Sequence, residues 1–297
     1  PQLIIENNLY GFEIDDRAAQ LAGLALMMKA RHYQRRVFRK KLTPNILCYS
    51  DLNLTTEEIK QTFAEISISL SGELLHDLTN MQQATNLGSL IAPQCKTEYL
   101  TKVLTELSSE NNLGDIFFTP KLESIEESIK QLILLSKNYH CIVDNPPYMG
   151  GGKMNSVLAE FVKKEYPDEK ADLMVCFMQK AITQLVENGL LGMINLPSWM
   201  FLSSFENYRN KMLKSIKIET LLHLGRGIFG SDFGTVAFTF SKAEEIEEKG
   251  VYRRLFKEHV QVRSVKKIEN LFLDKSYGFY TASQKDFEKI PGSPIGY

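Results

Sequence analysis

The chain has 297 residues, 43% of them hydrophobic and 24% charged, with a formal net charge of −1. That suits one large or two smaller domains at about 150 residues each, and it excludes disordered and collagen-like chains. Residues 21–28, the longest apolar run, are too few to cross a bilayer, and nothing at the N-terminus reads as a signal peptide. The four cysteines (Cys48, Cys95, Cys141, Cys176) lack zinc or redox spacing, which points to reduced, mostly buried thiols in a cytoplasmic protein without metal.

A helical lead and a strand over residues 9–14 open the chain. Asp15-Asp16 can cap a helix over 16–31, whose apolar positions Ala19, Leu21, Leu24, Ala25 and Met28 recur near the helical period. A second strand, 46–49, is entered through Pro44 and left through Ser50-Asp51. Strand, helix, strand begins a doubly wound α/β sheet. Residues 52–138 then read as a helical insertion, with helical stretches at 56–80, 95–110 and 122–137. The α/β rhythm resumes with a buried strand at 139–143. It continues with a helix at 171–187 stopped by Gly189, a strand at 190–195, and a helix at 204–215. Strands 218–224 and 234–241 form an antiparallel hairpin at the end of the sheet, joined by the Gly-rich turn 225–234. The expected core is therefore 1–51 plus 139–297, interrupted by 52–138.

Charge is uneven along the chain. Residues 29–41 hold Lys29, Arg31, Arg35, Arg36, Arg39, Lys40 and Lys41 with no acid among them. Residues 253–267 hold Arg253, Arg254, Lys257, Arg263, Lys266 and Lys267 against Glu258. Such runs can contact phosphate, and they are also what a solvated face looks like.

The sharpest chemical signal is Asp144-Asn145-Pro146-Pro147-Tyr148, directly after strand 139–143. Ligands of α/β sheets sit in loops that leave the carboxyl ends of strands. Two prolines fix the backbone, so the Asn145 amide and the Pro146 carbonyl are held rigidly, and Tyr148 adds an aromatic face. The set suits a planar base with an exocyclic amine: two acceptors for its N–H groups and a ring to stack on. The plain alternative is a proline turn with a surface tyrosine.

Other motifs are weaker. Gly150-Gly151-Gly152-Lys153 has the wrong spacing for a phosphate-binding Walker loop and reads as a loop following the turn. His140 and His223 have no partners at metal-ligand spacing. Trp199 follows a strand and suits the core.

Asn-Pro-Pro-Tyr at the end of such a strand resembles the catalytic motif of amino-group S-adenosylmethionine-dependent methyltransferases, chiefly N6-adenine DNA methyltransferases. Three further stretches, residues 10–22, 86–91 (Asn86-Leu87-Gly88-Ser89-Leu90-Ile91) and 196–205, resemble the PglX family, the large adenine-specific methyltransferases of BREX phage-exclusion systems. That family is related to type IIG restriction–modification enzymes, and the resemblance covers nearly the whole chain. It implies a Rossmann-like methyltransferase sheet acting on double-stranded DNA, with other phage-defence proteins as further partners. Glu13, with Ile14 beside it, would meet the ribose of S-adenosylmethionine, with Asp15 and Asp16 as competitors better suited to capping. Asp51 matches the acid that contacts the cofactor's adenine. Asn145 and the Pro146 carbonyl, with Pro147 behind them, would hold the target amine. Tyr148 would stack on the flipped base, and Phe229, with Phe233 as competitor, would form the second jaw.

The glycine-rich cofactor loop of the first strand has no counterpart between Pro1 and Tyr297. The expectation is a piece of a longer enzyme, with the sheet's first strand missing, inactive alone. Asn-Pro-Pro-Tyr is shared with protein-glutamine methyltransferases, which the insertion and the basic runs disfavour. A non-catalytic scaffold binding DNA or partner proteins is the remaining alternative.

Overall fold

The computed structural model describes residues 2–39, 41–110, 119–230, 233–243, 249–258 and 261–296. Lys40 of the first basic run, and Ser231 and Asp232 of the Gly-rich turn, lie outside these residues. The architecture is mixed α/β, in two compact units, Pro1–Lys137 and Asn138–Tyr297.

In the first unit, α1 (Gln2–Asn7) leads into β1 (Tyr10–Glu13), α2 (Asp16–Tyr33) and β2 (Asn45–Cys48). β1 and β2 pair in parallel, with Glu13 opposite Cys48. Asp15 caps α2, its Oδ1 accepting from the Arg17 and Ala18 amides at 2.9 and 3.4 Å. The buried stripe of α2 differs from the expected one. Ala19 and Ala30 are buried, and Leu26 and Met27 pack toward Ile5 and Val37, whereas Leu21, Leu24, Ala25 and Met28 are exposed. Both stripes obey the helical period, and Ile5 of α1 and Val37 after α2 pack on just one of them.

Residues 52–137 pack in this same unit, as α3 (Thr56–Glu65), α4 (Gly72–Met81), α5 (Ala84–Leu87), α6 (Thr97–Glu110) and α7 (Thr119–Ser136). The stretch expected as one helix, 56–80, is two. Ser67 takes a φ of 56°, and Ser71 starts α4 by accepting from the Leu74 amide at 3.1 Å. The start of α3 is fixed by the Thr55–Glu58 capping box. Asp77, fully buried, accepts from the Gln94 and Cys95 amides at 2.9 Å each and ties the following loop to α4.

The second unit holds β3 (Tyr139–Asp144), α8 (Ser156–Glu165), α9 (Leu173–Thr183), β4 (Leu185–Asn195), α10 (Glu206–Ser215), β5 (Ile216–Arg226) and β6 (Gly234–Lys242). Beyond these come β7 (Gly250–Arg254), α11 (Val265–Leu273), β8 (Phe279–Ala282) and α12 (Gln284–Phe287). The sheet order is β3-β4-β6-β5-β7-β8. β3 and β4 are parallel, as are β5 and β7, and β6 runs antiparallel between β4 and β5. Hence β3, β4, β5 and β7 all end on one edge. Trp199, Tyr208, Phe240 and Tyr252 fill the core, each fully buried.

Three expectations are corrected in this unit. The strand at 139–143 is not buried: it is the sheet's edge strand, His140 and Cys141 are exposed, and Val143 is 83% exposed. The helix expected at 171–187 ends at Thr183, and β4 starts at Leu185, because residue 185 already pairs with Tyr139 across a register shift. The β5–β6 hairpin is not at the end of the sheet, since β7 and β8 extend it; α8, capped by Asn155 and buried at Leu158 and Val162, likewise lies outside the expected elements.

Candidate functional site

The Asp144–Tyr148 turn leaves β3 at the shared carboxyl edge. Pro146 is buried, Asn145 is exposed, and Tyr148 is half-buried against the core. The Tyr148 Oη lies 3.1 Å from Asn145 Oδ1 and 3.2 Å from the Ile194 carbonyl oxygen, so its hydroxyl donates to the amide and to β4. Burial raises the Tyr148 phenol above its ordinary value. Burial also raises the Asp144 carboxyl, against a lowering hydrogen bond from the Asn145 amide.

The loop after the turn is anchored on α9. Asp172 Oδ1 accepts from the Met149 amide at 3.2 Å and from the Met174 amide at 3.1 Å, capping the helix and holding the loop with one oxygen. Leu173 N donates to Met149 O at 2.9 Å and Gly151 N to Ala171 O at 3.1 Å. Burial raises the Asp172 carboxyl above its usual range. Periodicity alone places residue 172 inside a helix; the signal for a cap is an Asp immediately before an apolar helical run.

Phe233 stands edge-on to Tyr148, ring centroids 6.0 Å apart at 80°. Phe229 is 52% exposed at the tip of the turn after β5. Of the two phenylalanines expected as the second jaw, Phe233 is the one brought against the tyrosine. The turn's path depends on Gly225 (φ +72°) and Gly227 (φ +108°), where an added Cβ would fall on the Arg263 guanidinium and carbonyl. The Arg263 guanidinium donates to the Leu255 and Leu224 carbonyls, tying the ends of β5 and β7 together. No local pattern marks Arg263 as a strut, because its partners lie on two other segments.

In the first unit, Glu13 ends β1, and its Oε1 accepts from the Ile14 and Asp15 amides at 2.8 and 3.1 Å. Ile14 is 58% exposed. Beside it, Gly88 has a φ of +54°, and a Cβ there would come 3.3 Å from Ile14 Cγ2. Ser89 Oγ lies 2.9 Å from Tyr49 Oη, which brings the 86–91 stretch to the end of β2. Asp51 holds Thr85: its Oδ1 accepts from the Thr85 amide at 2.8 Å, and both its oxygens lie within 3.0 Å of the Thr85 hydroxyl.

Among the described residues no cluster of His, Cys, Asp and Glu could hold a metal ion, and no helix is long and apolar enough to cross a membrane. Cys95 and Cys176 are buried, Cys48 is half-buried and Cys141 exposed, all as free thiols. His223 is buried edge-on to Phe256, 4.7 Å between centroids. Trp199 donates to Asn195 Oδ1 at 2.9 Å within the core. Residues Gly151–Lys153 form a single 3-10 turn.

Residues 7–229 match the Eco57I restriction-modification methylase family. The whole chain is 37% identical, over 319 aligned residues and 26% of the relative's length, to the adenine-specific methyltransferase BrxX of Escherichia coli O9:H4 (strain HS). It is 36% identical, across 25% of the relative's length, to the adenine-specific methyltransferase PglX of Lacticaseibacillus casei (strain Zhang). The chain thus spans about a quarter of these curated relatives. It also resembles a nuclease-deletion mutant of the Type ISP restriction-modification enzyme LlaGI solved with a DNA substrate mimic. That match has 14% identity and a TM-score of 0.44, over 92% of this chain and 26% of that one.

Proposed function

The chain belongs to the Eco57I restriction-modification methylase family, and from that premise we propose that it carries the adenine-binding and part of the cofactor-binding chemistry of a site-specific DNA N6-adenine methyltransferase. The enzyme works in the cytoplasm, in phage defence or restriction–modification. The single observation that carries the reading is the Asn145-Pro146-Pro147-Tyr148 turn. It leaves a parallel strand at the sheet's carboxyl edge, with the tyrosine bonded to the asparagine and faced by Phe233.

S-Adenosylmethionine, when bound, supplies a methyl group activated by a sulfonium. The acceptor at the end of β1 fits its ribose: Glu13 spends Oε1 on two backbone amides, which leaves Oε2 to accept from a vicinal diol. The exposed Ile14 side chain offers apolar contact for a purine. Asp51, engaged by Thr85, serves first to hold α5 at the end of β2.

At the other half of the chemistry, an adenine N6 amine is a poor nucleophile because its lone pair is delocalised into the ring. A side-chain amide oxygen has two lone pairs, so Asn145 Oδ1 can accept from Tyr148 Oη and from one amine N–H together. The Pro146 carbonyl accepts the second N–H. Both acceptors favour a pyramidal nitrogen and stabilise the positive charge that it gains, and the amine's surplus proton then leaves to water. Positioning and charge stabilisation do the work, and no strong base is required. The adenine must leave the duplex to reach this turn, and Tyr148 and Phe233 offer it aromatic surface.

The test is adenine methylation of genomic DNA in cells that carry the wild-type protein or its Asn145 variant. Full methylation by Asn145→Ala would end the reading. A parallel methyl-acceptor assay with glutamine-containing protein substrates separates it from protein-glutamine methylation.

A further inference from the structure

The second basic run divides into residues used inside the fold and residues left outside it. Arg253 is buried and donates to the Leu271, Phe272, Asp274 and Tyr277 carbonyls around the end of α11. Arg263 is buried beneath the turn that follows β5. Lys257, Lys266 and Lys267 are exposed.

Topology sets where these lysines sit. β7 is parallel to β5, so Lys257, just past β7, leaves the sheet on the same edge as the Gly227–Phe233 turn. Arg263 N donates to Arg226 O at 3.2 Å, and Val262 bridges Arg226, which brings the start of α11 to the end of β5. Ile268 packs with Leu224 and Leu255, and Arg253 holds the helix's far end against β7. The helix therefore runs back over the sheet, and its first turn, with Lys266 and Lys267, stays on the carboxyl edge. Three ammonium groups share that edge with Asn145, Tyr148 and Phe233, against Glu258 in the same stretch.

We infer that this rim binds the phosphate backbone of the duplex that carries the target adenine; the inference rests on the adenine-methyltransferase reading above. From β3 to β7 the sheet order takes four steps, about 19 Å at roughly 4.8 Å per strand. That is about five to six base pairs of duplex at about 3.4 Å rise. With a base held at Tyr148, phosphates a few nucleotides along the same duplex reach the lysines. Ammonium–phosphate contacts of this kind set the register of the DNA and carry no sequence information. The rim lies beyond residues 7–229, so it is not part of the segment that matches the family.

The experiment measures duplex affinity of the full protein against salt for three forms. These are the wild type, the triple variant Lys257→Gln/Lys266→Gln/Lys267→Gln, and a control, Lys214→Gln/Lys249→Gln, whose exposed lysines precede β5 and β7 on the opposite edge. In the triple variant the slope of log affinity against log salt should fall by about three units, roughly 0.9 per lost phosphate contact. Its loss of affinity between about 50 and about 200 mM salt should then be about 40-fold smaller than the wild type's. KM for DNA rises and cofactor affinity stays constant. The control keeps the wild-type slope and methylation rate. A wild-type slope in the triple variant, or an equal drop in the control, overturns the inference. A wild type without salt-dependent duplex binding overturns the methyltransferase reading itself, a result distinct from either.

Discussion

The hydroxyl of Tyr148 donates to Asn145 Oδ1 at 3.1 Å and to the Ile194 carbonyl oxygen at 3.2 Å. One phenolic proton is shared between the Asn145 side-chain amide and the backbone of the neighbouring strand, so the ring and the amide are oriented as a pair. A tyrosine expected only to stack on a base thus also sets the rotamer of the asparagine beside it.

Asn145→Ala should cut methyl transfer by about 100- to 1000-fold, the usual loss when one charge-stabilising acceptor leaves a reacting centre. Cofactor affinity, measured by calorimetry on the full protein, should stay close to wild type, because in the proposed mechanism the side chain addresses the amine. A large drop in cofactor affinity would move Asn145 to a different role.

Tyr148→Phe keeps the ring and removes the tether on Asn145. The expected cost is that of one hydrogen bond, about 0.5–1.5 kcal/mol, or roughly 2- to 13-fold in rate. Tyr148→Ala should lose a further 1–3 kcal/mol or so of base stacking. Single-turnover methylation compares the two; equal damage from both variants would make the hydroxyl the essential group.

Phe233 and Phe229 can be separated. Phe233→Ala should reduce the fluorescence change of a 2-aminopurine placed at the target position, by about 0.5–1.5 kcal/mol in the flipping equilibrium, the worth of one aromatic contact. Phe229→Ala, at the exposed tip, should change flipping less than Phe233→Ala does. The reverse order would assign the second jaw to Phe229.

The Asp172 carboxyl is raised above the ordinary aspartate value by burial. A carboxyl whose folded value exceeds its unfolded one contributes stability that is complete below the unfolded value and is lost as pH rises through the folded one. Asp172→Asn keeps an acceptor for Met149 N and Met174 N and cannot ionise. Its stability relative to wild type should therefore improve as pH rises from the ordinary aspartate value of 3.8 through the raised one, and level off above that. Denaturant midpoints measured across this range read the difference; a constant gap between the two proteins would show that Asp172 does not titrate with folding.

Much of the candidate site is legible in the sequence because its information is local. Asn145, Pro146, Pro147 and Tyr148 are consecutive, and a strand followed by two prolines defines a rigid turn at the strand's carboxyl end without knowledge of the rest of the chain. The Asp15 cap and the helix after it are legible for the same reason, since the capping oxygen lies within three residues of the amides it meets. Alternating strand and helix patterns likewise announce an α/β chain.

What the tertiary structure decided are relations between distant segments. α2 has two apolar stripes of equal period, and only the packing of Ile5 and Val37 shows that Leu26, Met27 and Ala30 turn inward while Leu21, Leu24 and Met28 are exposed. Strand 139–143 reads as buried by composition, yet its place in the sheet order makes it an edge. Phe229 and Phe233 are alike in sequence, and the fold sets Phe233 against Tyr148. Arg253 and Arg263 look like the lysines of their basic run until their carbonyl partners, 8 to 39 residues away, draw them inside and leave Lys257, Lys266 and Lys267 on the rim. Periodicity and turn chemistry act over a few residues. Burial and partner choice depend on which segments meet, and that is a property of the folded chain.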